Sequence, residues 1–121
     1  MAGDDSIFGI HGAALALRSQ RLGLLASNIA NAATPGFKAK DIDFAAALDA
    51  AGRSGAQPRA IDQAAESNTL YRMPLQSSQD GNTVELSTEQ TQFAENAIKY
   101  QTTLSFLNGR IGTLTRALKG E

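Results

Sequence analysis

Apolar residues in the last third of the chain fall at Phe93, Ala97, Tyr100, Leu104, Leu107, Ile111, Leu114 and Leu118, in alternating steps of four and three. This is a heptad seam, and it predicts a helix from about Thr88 to Leu118 within a C-terminal segment 88–121. Ser87 followed three residues later by Gln90 marks its start, because a hydroxyl and an amide at that spacing each satisfy an unpaired backbone donor. In the first third, Phe8, Leu15, Leu22 and Ile29 repeat at seven-residue intervals with Leu25 beside them, which predicts a helix from Ser6 to about Asn31 within segment 1–32. A second apolar line, Ile10, Ala14, Leu17 and Leu24, runs next to the first. On the C-terminal helix Ile98 and Phe106 fall off the seam. Both helices therefore carry wider apolar faces than a two-stranded contact needs, and both ask for neighbours on more than one side.

The pattern changes between them. Segment 33–50 reads as a turn followed by an extended piece, with Asp41-Ile42-Asp43-Phe44 alternating polar and apolar. Segment 51–79 carries Gly52, Ser54, Gly55, Pro58, Ser67, Asn68, Pro74, Ser77 and Ser78 among few large apolar residues, and reads as a flexible linker. Residues 51–68 in particular offer too little apolar surface to offset an ordering entropy of ~1–2 kcal/mol per residue. Segment 80–87 holds the turn signal Asp80-Gly81-Asn82 and a short alternating strand, Thr83-Val84-Glu85-Leu86. The fold class expected is mainly α: two long terminal helices packed as an antiparallel coiled-coil hairpin, with a short β-hairpin or extended segment and a flexible middle loop.

Composition narrows the function. Of 121 residues, 42% are apolar but only 6% aromatic, with no tryptophan, so the core must be thin and rich in alanine. The isolated monomer is accordingly expected to be marginally stable. Eleven basic and twelve acidic residues give a net charge of −1, which offers no field for nucleic acid or an anionic membrane. No apolar run approaches the ~20 residues of a membrane span, and the acidic start Asp4-Asp5 is unlike a cleaved secretory signal. The chain has no cysteine, which excludes disulfides and thiolate metal sites.

Chemistry-bearing residues are sparse. His11, the sole histidine, lies in the N-terminal helical pattern without ligand partners, and one heptad further on is Arg18. It reads as a polar position at the edge of an interface rather than a metal ligand. The carboxylate pairs Asp4-Asp5 and Asp41 with Asp43 read as solvated faces. No phosphate loop or nucleophile elbow is present, so neither an enzymatic activity, a cofactor nor a small-molecule substrate is expected.

The most informative segment is Leu25 to Lys38. Asn31 suits a helix C-terminus through its tolerance of the left-handed conformation, and Pro35-Gly36 fits a type II turn. Asn28-Ile29-Ala30-Asn31 followed by Thr34-Pro35-Gly36-Phe37-Lys38 resembles the signature of the flagellar rod, hook and hook-associated proteins. Lys38 to Phe44, Tyr71-Arg72-Met73-Pro74, Asp80 to Val84 and Thr91 to Asn96 resemble the proximal members of the flagellar basal-body rod protein family in particular. The resemblance spans both helical zones and their flanking turns, and is weak across 51–68.

It implies a structural subunit of the rod that assembles helically around the export channel. It implies export through the flagellar type III apparatus without a cleaved signal, and a final place in the periplasmic part of the basal body. Its partners would be copies of itself and other rod proteins, with the MS ring, the rod-base adaptor protein and the export gate at the base. Asn28, Ile29, Asn31, Thr34, Pro35, Gly36 and Phe37 would then be an assembly motif, and the C-terminal seam a contact surface. The same seam would equally serve a non-polymerising helical-hairpin adaptor of the flagellar or type III export apparatus, which differs in stoichiometry and location.

Overall fold

The computed structural model describes residues 9–76 and 78–120. Helix α1 (Gly9–Ala30) leads through a turned segment to strand β1 (Lys40–Ile42), helices α2 (Phe44–Arg53) and α3 (Pro58–Ser67), strand β2 (Thr69–Tyr71) and helix α4 (Leu86–Lys119). The fold is mainly helical, and α1 packs against α4 from Glu89 to about Leu107. They run antiparallel: Asn28 meets Glu89, Asn96 meets Arg18, and the His11 ring lies 4.5 Å from that of Phe106. The seam residues Phe93, Ala97, Tyr100 and Leu104 are half-buried and Leu107 is buried. Phe8, Asp4, Asp5 and the expected helix start at Ser6 lie outside the described residues.

The second apolar line of α1 finds its neighbour within the same chain. Ala13 and Leu17 pack with Ile42, Ala47, Ala51, Ile61, Ala64 and Ala65 into the main core cluster, whose α2 and α3 residues cover a second face of α1 beside the one that meets α4. The core is thin and largely alanine, and small side chains let the helices approach closely.

This packing corrects the reading of residues 51–68 as a flexible loop. Asp43 caps α2 by accepting from the Ala46 amide at 3.2 Å. Gly55 and Ala56, both with positive φ, turn the chain, and Pro58 opens α3. Asn68 ends that helix, its side chain donating to the Ala64 carbonyl at 2.8 Å. Antiparallel pairing of β1 with β2, Asp41 opposite Leu70, then closes the base of the hairpin. Alanines at 0–5% exposure and Ile61 at 7% supply burial that a search for large apolar residues overlooks.

Three smaller expectations change. Phe44 is not extended but begins α2, where the Arg18 guanidinium stacks 3.9 Å above its ring. Thr83 to Glu85 forms no strand: the Ala39 amide is taken by the Thr83 hydroxyl and the Val84 amide turns back to the Asn82 side chain, so no ladder develops, and α4 starts at Leu86. Ser87 is therefore inside α4 and not its cap: Glu85 holds that position through backbone alone, its side chain accepting instead from the Leu75 amide at 2.9 Å.

Candidate assembly site

The signature segment is a tight structure held from inside the chain. Asn31 does not adopt the left-handed conformation, which among described non-glycine residues only Ala56 does. It ends α1 by side-chain bonding: its amide donates to the Ser27 carbonyl at 2.8 Å, satisfying an acceptor at the helix end, and its oxygen accepts from the Thr34 hydroxyl at 3.0 Å. Thr34-Pro35-Gly36-Phe37 then forms the expected turn, closed by the Phe37 amide to the Thr34 carbonyl at 3.2 Å, with Gly36 at φ +75°.

The 80–83 loop clasps this turn. Asn82 is 7% exposed, and its side-chain amide faces the carbonyls of Asn31, Ala32 and Thr34 at 2.7–3.1 Å. Gly36 donates to the Asp80 carbonyl, Thr83 donates to the Phe37 carbonyl, both at 2.9 Å, and the Lys38 ammonium reaches the Gly81 carbonyl at 2.6 Å. Composition had marked Asp80-Gly81-Asn82 only as a turn. In the folded chain it is the second half of the signature.

Asn28 belongs to a different environment, 1% exposed at the α1–α4 interface. Its amide donates to the Lys40 carbonyl at 2.8 Å and to Glu89 at 2.9 Å, and its oxygen accepts from the Lys40 amide at 3.2 Å. It thus ties β1 to both long helices. Next to it lies a charged network that sequence reading missed. Arg21 binds Asp41 through Nε and Nη2 at 2.7 and 2.9 Å; Arg72 binds Asp41 at 2.8 Å and Glu89 at 2.6 Å. Glu89 is fully buried, and the Arg72 guanidinium is the cation set against it. Asp41 is therefore a largely buried ion-pair member and not a solvated face. Asp43 is the α2 cap. The available signal was spacing: Arg21 and Asn28 are seven residues apart on α1, as Glu89 and Asn96 are on α4, placing polar groups on one face of each helix.

Electrostatics gives this network a pH dependence. Burial alone would push the Asp41 carboxyl up, but the hydrogen bonds and charge of Arg21, with the Ile42 amide and Arg72, outweigh it and hold the group below the usual carboxylate range. The folded chain thus binds this proton less readily than the unfolded one. Its stabilisation is complete above the ordinary carboxylate value of about 4 and is lost as pH falls through the lower folded value. Thermal melts between pH 7 and 2 should show the loss beginning below about pH 4. An Asp41→Asn chain should begin less stable and decline less; an unchanged acid slope would remove Asp41 from the account.

The remaining seam residues are more open: Ile111, Leu114 and Leu118 are 44, 38 and 89% exposed. Off the seam, Ile98 and Phe106 are 66 and 46% exposed. Thr34, Pro35 and Gly36 are exposed at the opposite end of the hairpin, while Ile29 and Phe37 are half-buried. Among the described residues no group of acidic or histidine side chains is arranged to hold a metal ion, and no helix is long and apolar enough to cross a membrane. His11 is exposed beside Phe106.

Comparison with known proteins bears on what such an arrangement is for. Residues 9–38, which contain α1 and the whole signature turn, match the family described as flagella basal body rod protein. The chain is 50% identical to the flagellar basal body rod protein FlgB of Cereibacter sphaeroides, over all of both chains. It is 46% identical to FlgB of Aeromonas hydrophila, covering 97% of this chain and 96% of the other, and 40% identical to FlgB of Escherichia coli K12, covering 88% of each. With the terminal-helix hairpin, the clasped turn and full-length identity in agreement, the chain belongs to the FlgB family of flagellar basal body rod proteins.

Proposed function

We propose that this structural rod subunit occupies the proximal rod, packing helically with its copies and with other rod proteins around the export channel. In this reading it contacts the MS ring, the rod-base adaptor protein and the export gate, lies in the periplasm, and arrives by the flagellar export route. It performs no catalysis. The observation that carries the proposal is the exposed distal end of α4, where Ile111, Leu114 and Leu118 continue a seam whose first half is already used against α1. Burying those side chains against neighbours supplies ~25 cal/mol per Å² of apolar area.

The signature residues divide by role in this proposal. Asn28 and Asn31 act by holding the hairpin and its exit in shape, whereas Thr34, Pro35 and Gly36 present the turn to adjacent subunits. α1 contributes less to assembly than its sequence suggests, since α2 and α3 cover its second face.

Detergent-extracted basal bodies should contain the chain in the rod fraction. Recovery only in the soluble fraction would favour a non-polymerising adaptor and sink the proposal. Gly36→Val provides a sharper test. An added Cβ meets no atom within 4 Å, so the cost arises from φ alone, about 1–2 kcal/mol or more for a β-branched residue. The altered turn should abolish swimming while the protein still folds; normal motility would remove the turn from the assembly surface.

A further inference from the structure

A cleft of about 500 Å³ opens where the signature turn meets the start of α4. Ala32, Leu75 and Val84 supply apolar wall, and Asp80 and Glu85 are the charged residues lining it; Lys and Arg are absent from the lining. Leu75 is 87% exposed although the chain around it is anchored, its own amide held by Glu85. Lys38, the nearby cation, is engaged with the Gly81 carbonyl, and Arg72 with Asp41 and Glu89. An exposed leucine between two carboxylates is a receptor for a segment both apolar and basic.

The chain carries such a segment at its other end. From Asn96 to the last residue there are four cations, Lys99, Arg110, Arg116 and Lys119, against a single carboxylate, Glu121. Leu114 and Leu118 lie exposed among the last three of these. The two features cannot meet within one chain. The cleft adjoins the first turn of α4 and the basic end is its last turn, about 45–50 Å away at 1.5 Å per residue.

We propose that the acidic cleft beside Leu75 receives the basic C-terminal end of α4 from a second copy, head to tail. The contact joins different patches on the two copies, so it leaves one cleft and one helix end free and propagates instead of closing. It buries Leu114 and Leu118 against Leu75 and Val84, and sets Arg116 and Lys119 against Asp80 and Glu85. Charge selects the partner end and apolar burial retains it. The proposal rests on the rod-subunit reading and names the copy-to-copy contact within it.

The absence of cysteine makes the test direct. Leu75→Cys and Leu118→Cys chains, purified separately at equal concentration up to the onset of light scattering, are oxidised alone and mixed. The mixture should give a mixed dimer at least ten times more abundant than either homodimer, and a chain carrying both substitutions should give a ladder. Raising salt tenfold should reduce the mixed product severalfold, since Asp80, Arg116 and Lys119 are exposed. Arg116→Glu with Lys119→Glu on the Leu118→Cys chain should abolish it, and Glu85→Lys on the Leu75→Cys chain should restore it.

Exclusive Leu118→Cys homodimers, a doubly substituted chain that stops at closed dimers, or no mixed product would each overturn the contact. Basal-body fractionation is a separate readout. If the cross-link fails and the chain still fractionates with the rod, only this contact falls; if the chain is absent from the rod, the broader reading falls whatever the cross-link shows.

Discussion

Replacing Arg72 with Met lowers the stability of the folded chain by about 3–5 kcal/mol, read as a fall in the urea midpoint at unchanged slope. The reason is the group left behind. Glu89 is 0% exposed and binds Arg72 at 2.6 Å; without that cation its buried carboxylate retains only the Asn28 amide. Asp41 fares better, since Arg21 still grips it through two bonds. Arg72 is itself 19% exposed, so solvent screening places the result toward the lower end of the range. The pair with Glu89→Met should be less damaging than Arg72→Met alone, because removing both charges leaves no carboxylate stranded. Simple additivity of the two single changes would show that the pair contributes no coupling.

Leu17→Ala should cost about 2–5 kcal/mol, near the upper half of that span. Leu17 is 0% exposed and is surrounded in its cluster by Ala13, Ala47, Ala51, Ala64 and Ala65. Alanines have no side chain to move into a void, so the cavity stays open and the lost contacts are not regained. The predicted consequence is local before it is global: amide exchange in α2 and α3 should rise more than in α4, because those helices pack on α1 through this residue. Equal exchange changes in all helices would mean that the α2–α3 hairpin is not a separable layer. Leu118→Ala is the useful contrast. At 89% exposure it should leave the melt of the dilute chain unchanged while weakening assembly.

These two substitutions probe the two kinds of packing that the chain uses. Around Leu17, small side chains permit close helix approach, and Leu17 with Ile42 and Ile61 fills what remains. Around Glu89, ionised and amide groups join α1, β1, β2 and α4 at one point, which fixes the axial register of the long helices more strictly than an apolar seam does. The clasp of Asn82 on the end of α1 then sets the direction in which the turn leaves the hairpin. The surfaces proposed for assembly at both ends of α4 depend on that register.

The long helices were legible because periodicity needs no partner to be read: Phe93 to Leu118 and Leu15 to Ile29 repeat at helical spacing whatever lies opposite. The turn at Pro35-Gly36 was legible for a similar reason, since a fixed φ beside a positive one restricts the backbone locally. Family membership was legible in the order of Asn28 to Lys38, a pattern too specific to arise from helix termination alone. What local reading could not supply was the partner of each group. Asp41 looked solvated because Arg21 and Arg72 lie 20 and 31 residues away. Residues 51–68 looked mobile because alanine signals no burial until another helix arrives, and Thr83-Val84 looked like a strand because side-chain bonds to Ala39 and Asn82 leave no local trace. The sequence by itself thus determined the two terminal helices, the turn between them and the family. Only the tertiary structure decided that the second face of α1 is covered from within while the end of α4 is left bare, because coverage depends on which surfaces meet and not on which residues are apolar.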